Sequence, residues 1–436
     1  SMIGVGILTT SGYIIKDTGS GVILLTLWLV GGAIAICGAL TVVELATALP
    51  LAGGEYVFIR EAYGRLWAFL YGWISLVIGF SGPTAIIAYG AGRYLVQPFN
   101  MTSESDSVLL CRGLAIIIVV AFTAMHVCGQ SLSSKVQGVS TFFKIAVLLA
   151  IIIGGFVVAH TTTGTTLGKQ TSPTHVPWSV LAISLVYVMY SYNGWNAATY
   201  LAGELKHPAR ILPRATLIGA GGVTVIYVLM NVVYLLALPP RDLAAMSYSQ
   251  VEPVAALATG RLFGPWIAGP FSMAIGIGLL ASVSAYILTG PRIYFAMARD
   301  GLFPRFAGRL HATTGVPVIA TLLQSALTLV LLFVGTLKDI LTYAGVGLTV
   351  SSFFVILSVF VLRVRRPDLP RPFRTPGYPI TPSIFLACTA WMIVFAFVEQ
   401  PCWSAISIGT ILAGIPIYCI WQRMAAGSVH ANEPQS

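Results

Sequence analysis

The sequence predicts an all-α polytopic membrane protein of about twelve transmembrane helices, in which two five-helix halves enter the bilayer from opposite sides. Three observations predict it. Of 436 residues, 57% are hydrophobic and 9% charged, and the mean hydropathy is +0.87, a balance that no water-soluble domain of this length tolerates. Apolar stretches near the length of about 20 residues that crosses hydrocarbon recur along the chain. Glycine interrupts two of them at matching places, Gly4-Val5-Gly6 and Asn193-Gly194-Trp195, in the segments that open each half.

Segment 1 covers 3–15 and is too short to span, which predicts that its cytoplasmic half lies ahead of Ser1. Without a basic leader or a small-residue cleavage site, it does not read as a secretory signal. Segments 2 to 5 follow at 22–49, 64–97, 109–127 and 138–160. Segment 6, with the second break, covers 178–203, and segments 7 to 10 cover 215–238, 267–298, 316–335 and 339–362. Segments 11 and 12 lie at 381–399 and 402–421. Between segments 7 and 8, Pro239 to Trp266 is moderately apolar but carries Pro239, Pro240, Arg241, Asp242, Glu252 and Pro253, so it reads as an extracellular lid. The Pro- and Arg-rich stretch from Arg363 to Pro382 reads as a cytoplasmic connection.

One membrane domain results, with 1–160 as the first repeat, 178–362 as the second, 381–421 as two appended helices and 424–436 as a polar, disordered tail. Because five is odd, the second repeat inverts the topology of the first.

Basic residues set the orientation. Arg60, Arg65, Arg210, Arg214, Arg292, Arg299, Arg363, Arg365, Arg366 and Arg423 fall at alternate connections on one side, which is therefore cytoplasmic. Lys16, Arg112, Lys169, Arg241, Arg261 and Lys338 lie on the other. The net charge of +10 thus reads as topology and contact with anionic membrane lipids, not as nucleic-acid binding. The six cysteines show no CxxC or Cys/His spacing, so no metal, no other cofactor and no disulfide framework is expected. The sequon Asn100-Met101-Thr102 would matter only in a eukaryotic secretory pathway. No ring-forming filter motif points to a channel, and no nucleophile, base and orienter can be assembled into an enzyme site.

Glycine breaks in corresponding segments point instead to a binding site near the bilayer midplane, because loose backbone groups in hydrocarbon must be satisfied by something polar. The resemblance is carried by Met2-Ile3-Gly4-Val5-Gly6-Ile7, Gly53-Gly54-Glu55-Tyr56, Asn193-Gly194-Trp195-Asn196, Arg299-Asp300-Gly301-Leu302-Phe303-Pro304 and Arg371-Pro372-Phe373-Arg374-Thr375-Pro376-Gly377-Tyr378-Pro379. In these motifs, and over essentially its whole length, the chain resembles the amino acid-polyamine-organocation superfamily, above all its L-type amino acid transporter branch. The resemblance implies the five-plus-five inverted-repeat fold of the leucine transporter, with segments 1 and 6 discontinuous.

Mapped by motif, the resemblance implies a small-molecule amino acid held by Ile3, Gly4, Val5 and Gly6 and by Tyr190, Ser191 and Asn193. Backbone amides would take the carboxylate and carbonyls the ammonium, which suits a zwitterion without any charged side chain. The alternative for Gly4 and Gly6 is close helix packing. Val5 and Asn193 stand where the branch usually has a small residue and a glycine, which favours small polar or neutral substrates. Tyr190 and Trp195 bracket the second break and are expected to gate it.

Lys144, deep in segment 5, would cost on the order of 3 kcal/mol as a lone ammonium, so it is either functional or snorkels to the interface. By resemblance it replaces a sodium ion, with partners among the carbonyls near Gly4 and Ser282 or Ser284, and desolvation there would suit it to proton coupling. Glu44 and Glu204 are expected in a cytoplasmic gate or interhelical salt bridge, leaving no carboxylate at a break for a cationic substrate. Ser103 stands where heavy-chain-associated relatives carry a cysteine, so no disulfide-linked partner is expected. These readings imply sodium-independent transport of neutral L-amino acids by exchange or with protons. The alternatives are a cationic amino acid or polyamine carrier and a non-transporting amino-acid sensor.

Overall fold

The computed structural model describes residues 2–51, 54–99, 103–129, 134–161, 176–196, 199, 202–203, 205–312 and 314–430. The sequon, Glu204 and the end of the tail at 431–436 lie outside them. Nine helices among the described residues are long and apolar enough to cross a membrane. They are α2 (Gly21–Ala48), α4 and α5 joined (Arg65–Ile74, Ser81–Val96), α6 (Glu104–Val127), α7 (Ser134–Thr161), α9 (Pro208–Ala237), α13 (Pro265–Arg299), α15 (Leu337–Arg365), α16 (Ile380–Glu399) and α17 (Pro401–His430). Three expected segments are shorter: α1 (Val5–Thr18), α8 (Trp178–Ser191) and α14 (Val318–Val334). A short helix α3 (Glu55–Tyr63) precedes α4, and α10 (Pro240–Ala245), α11 (Tyr248–Val251) and α12 (Val254–Phe263) form within the stretch expected to be a lid.

Local chemistry sets the ends. Gly19, at φ +61, lets α1 stop with its N–H bonded to the Ile15 carbonyl, and Ser20 caps α2 by accepting from the Ile23 N–H. Thr336 and Asp339 form a reciprocal capping box at the start of α15. Between α4 and α5 the helix widens into a π turn at Ser75–Phe80. Pro83 lies just beyond, and its missing N–H disrupts the regular ladder there; the Ser81 hydroxyl reaches back to the Leu76 carbonyl at 2.6 Å. The last helix continues past Met424, where the sequence predicts a disordered tail, to His430.

The buried centre is built around α1, whose residues from Val5 to Ile15 are all shielded. It packs against α8, while α2 runs along α9 and α5 along α13. The neighbours are therefore segments 1 and 6, 2 and 7, and 3 and 8. Fully buried rings, including Trp28, Tyr94, Tyr187, Tyr227 and Tyr234, fill this centre. Apolar residues such as Ile117, Phe142, Ile153 and Val394 are exposed on the outer helices, as hydrocarbon-facing positions require.

Ion pairs collect at the two ends of the helix bundle. At one end, Arg363 grips buried Glu44 with two hydrogen bonds of 2.9 and 2.7 Å. The Thr375 N–H donates to the same carboxylate at 2.7 Å, and the Arg371 guanidinium approaches it at 3.7 Å. Glu44 thus anchors the Pro- and Arg-rich connection to α2 and α15. Arg371 also donates to the Leu362 carbonyl in the last turn of α15 and to the Arg366 carbonyl just beyond it. At the opposite end, Lys338 pairs with Asp17 and lies 3.6 Å over the ring of Tyr248 in the lid.

Candidate functional site

The first break leaves Met2 to Gly4 outside the helix, with Gly4 extended ahead of α1. The opening amides of a buried helix thereby point into the protein centre, where they can hold an anionic group. The two glycines of this motif differ. A Cβ on Gly4 would meet nothing nearer than the Met2 carbonyl at 3.9 Å, whereas one on Gly6 would fall 2.7 Å from the Cα of Ser191. Gly6 therefore serves close packing of the two breaks, and only Gly4 leaves its backbone beside free space. The side chain of Val5 is accommodated by Gly90 of α5, where a Cβ would come within 2.3 Å of it. Val5 thus fills a notch between helices.

At the second break, α8 stops at Ser191 and the chain turns through Asn193 to Gly194, whose φ of +97 requires glycine. The Asn193 side chain accepts the Gly194 N–H at 2.9 Å, capping the break itself. Ser191 meets the Thr10 hydroxyl at 3.1 Å and donates to the Tyr187 carbonyl. Tyr227 of α9 lies where it can donate to the Met2 carbonyl at 2.8 Å or the Ser191 carbonyl at 3.1 Å, so one hydroxyl bridges both breaks.

Lys144 projects from α7 into the first break. Its ammonium donates to the Ser282 hydroxyl at 2.9 Å and to the Ile3 carbonyl at 3.4 Å, and its stem lies on Gly278, where a Cβ would crowd it at 3.0 Å. Ile3, Gly4, Leu8 and Lys144 line a small cavity with Leu148, Ile275 and Leu279. Ser284 is not placed with Lys144. Residues two apart on a helix point to different faces, and Ser284 instead meets His126 of α6 at 3.0 Å.

Tyr190, Asn193 and Trp195 face a second, small cavity between α8, α15 and α16. Met189, Leu348, Phe385 and Met392 supply its apolar wall, and Trp195 meets Phe385 edge-on at 6.1 Å. The cavities share no lining residue and flank the Gly6–Ser191 contact. The residues expected to bind substrate make up the two breaks, which meet where Gly6 lies against Ser191.

Three features carry no sequence signal of comparable strength: Tyr227, the Val5–Gly90 notch and a carboxylate near the second break. Glu55 accepts from Asn196 at 2.6 Å and from the Tyr71 hydroxyl. Its Gly-Gly-Glu-Tyr motif was visible in the sequence, but its proximity to the break was not. This qualifies the expectation that no carboxylate lies near either break, although Glu55 is engaged by these neighbours and does not line the second cavity.

A family model described as amino acid permease matches residues 1–420. The chain is 28% identical over 97% of its length to the cystine/glutamate transporter of Homo sapiens, covering 83% of that protein. It is 29% identical to the large neutral amino acids transporter small subunit 2 of Homo sapiens, with 97% of this chain and 78% of the relative covered. The Asc-type amino acid transporter 1 of Mus musculus is 27% identical, with coverage of 96% and 78%.

Proposed function

This chain belongs to the amino acid permease family, and we propose that it carries neutral L-amino acids across a membrane by alternating access without sodium. It is an integral, multi-pass amino acid transporter and not an enzyme. The finer reading rests on the walls of the two cavities. Among the described residues, Lys144 is the one charged residue lining either, and its ammonium is engaged by Ser282 and Ile3. The lining of the second cavity, toward which a side chain would extend from the break, is apolar and neutral-polar among the described residues. A buried ionic side chain there would need an opposite charge.

Lys144 also supports independence from sodium. Its ammonium bridges a broken-helix carbonyl and a hydroxyl on α13, both oxygen ligands of the kind that hold a hard cation in a broken-helix transporter. The contact between the two breaks supports alternating access, since a closed centre must part toward one face to admit substrate. The pairing of segments 1 with 6, 2 with 7 and 3 with 8 supports two related halves.

Uptake of labelled leucine, alanine, serine, glutamate, cystine and arginine into proteoliposomes tests the substrate class. Uptake of the neutral compounds, stimulated by internal neutral amino acid or by an imposed proton gradient, is expected. Uptake confined to glutamate and cystine, or to arginine, would overturn the neutral reading.

A further inference from the structure

The lid carries a buried carboxyl that the transport reading does not use. Glu252 follows α11, between the spans Pro208–Ala237 and Pro265–Arg299, and is 5% exposed. Its Oε1 accepts from the Tyr13 hydroxyl of α1 at 3.0 Å. Its Oε2 faces Nε of Arg93, on α5, at 3.5 Å but receives no hydrogen bond among the described residues. The two ends of the Arg93 fork are directed elsewhere, to the Ser107 hydroxyl of α6 at 2.7 Å and the Ser249 carbonyl of the lid at 2.6 Å. The geometry is poor for a carboxylate. One hydrogen bond and one misaligned guanidinium must replace the water that the anion would otherwise hold.

The other titratable or charged groups facing Glu252 do not correct this. Tyr89 on α5 and Glu104 and Cys111 on α6 would each repel the anion if ionised. Lys16, Asp17 and Lys338 gather around Tyr248 instead. A protonated carboxyl, by contrast, is neutral and leaves the Arg93 bonds to Ser107 and Ser249 intact.

We propose that closure of the external lid takes up a proton on Glu252, so that the pH outside the membrane sets how firmly the lid closes over α1 and α5. Burial, outweighing the opposing pull of Arg93 and the Tyr13 hydrogen bond, raises the Glu252 carboxyl from its ordinary 4.5 to about 7 in the closed lid. A lifted lid returns it to water and to its ordinary value. The group binds protons more tightly when closed, so its contribution to closure is fully present below about pH 4.5 and lost as pH rises through about 7. Nothing in this depends on which amino acid is carried.

Amide hydrogen exchange of residues 247–259, corrected for the intrinsic pH dependence of exchange, tests the proposal on the full chain without substrate. The open fraction of the wild-type lid is expected to grow by at least about tenfold, and at most about thirtyfold, between about pH 5.5 and about pH 8. Glu252→Gln should abolish that dependence. Tyr13→Phe keeps the carboxyl but removes a hydrogen bond that favours its charged form, and should move the midpoint to higher pH. A pH-independent wild-type lid, an unchanged dependence in Glu252→Gln, or an unmoved or lowered midpoint in Tyr13→Phe would overturn the proposal. Because no transport is read, failure here is distinct from failure of the neutral-substrate reading.

Discussion

Replacing Gly6 by alanine separates packing from backbone freedom at the first break. The added methyl would lie 2.4 Å from the Ser191 hydroxyl oxygen, 2.6 Å from its Cβ and 2.7 Å from its Cα. Ordinary carbon contacts sit near 3.5–4.0 Å, so α1 and α8 must separate by about an ångström. Overpacking of this kind costs about 1–3 kcal/mol, and the better helix propensity of alanine returns about 0.5–1. The net loss, about 1 kcal/mol near the middle of these ranges, should lower the melting temperature of a 436-residue chain by about 1 °C and the ratio of closed to open molecules by about fivefold. Gly4→Ala places its methyl in open space and should melt as wild type does. Ser191→Gly, combined with Gly6→Ala, removes two of the three clashing atoms and should restore part of the loss. Thermal unfolding in detergent, with initial uptake rates measured in parallel, provides the comparison. Equal losses in Gly4→Ala and Gly6→Ala, or a wild-type melting temperature for Gly6→Ala, would refute the packing argument.

Tyr227→Phe deletes the hydroxyl shared by the Met2 and Ser191 carbonyls. It should cost about 1–3 kcal/mol, since the carbonyl that this hydroxyl serves loses its donor, and should speed hydrogen exchange at both breaks more than in α17. Glu44→Ala leaves Arg363 without its carboxylate partner and the Thr375 N–H without an acceptor, an expected loss of about 3–5 kcal/mol read as a large fall in melting temperature. Glu44→Gln keeps an acceptor and should lose less in the same measurement.

The sequence made the spans legible because hydrocarbon demands long apolar runs, and the breaks legible because glycine is costly inside them. The lid was legible from its prolines and charges. Its division into α10, α11 and α12 was less so, because helices this short draw their stability from tertiary packing. The site was legible as a neighbourhood and much less as a geometry. Ser282 and Ser284 look equivalent in a string, yet only one can face α7. Tyr227 lies in an ordinary apolar stretch of α9, so its bridging role appears only when Met2 and Ser191 are placed beside it. Nothing in the string around Val5 shows that its side chain lies opposite Gly90. Such pairings join residues 36 to 225 positions apart, the separations of the two Tyr227 bonds, where helical periodicity is silent.

The central claim is that Lys144 takes the place of a cation at the first break. It is tested most directly by the initial rate of labelled neutral amino acid uptake into proteoliposomes loaded with the same amino acid, in sodium and with sodium replaced by choline. The account predicts equal wild-type rates in both media, and a rate at least about tenfold lower for Lys144→Met, which loses two charge-assisted hydrogen bonds. A wild-type rate that requires sodium would contradict it.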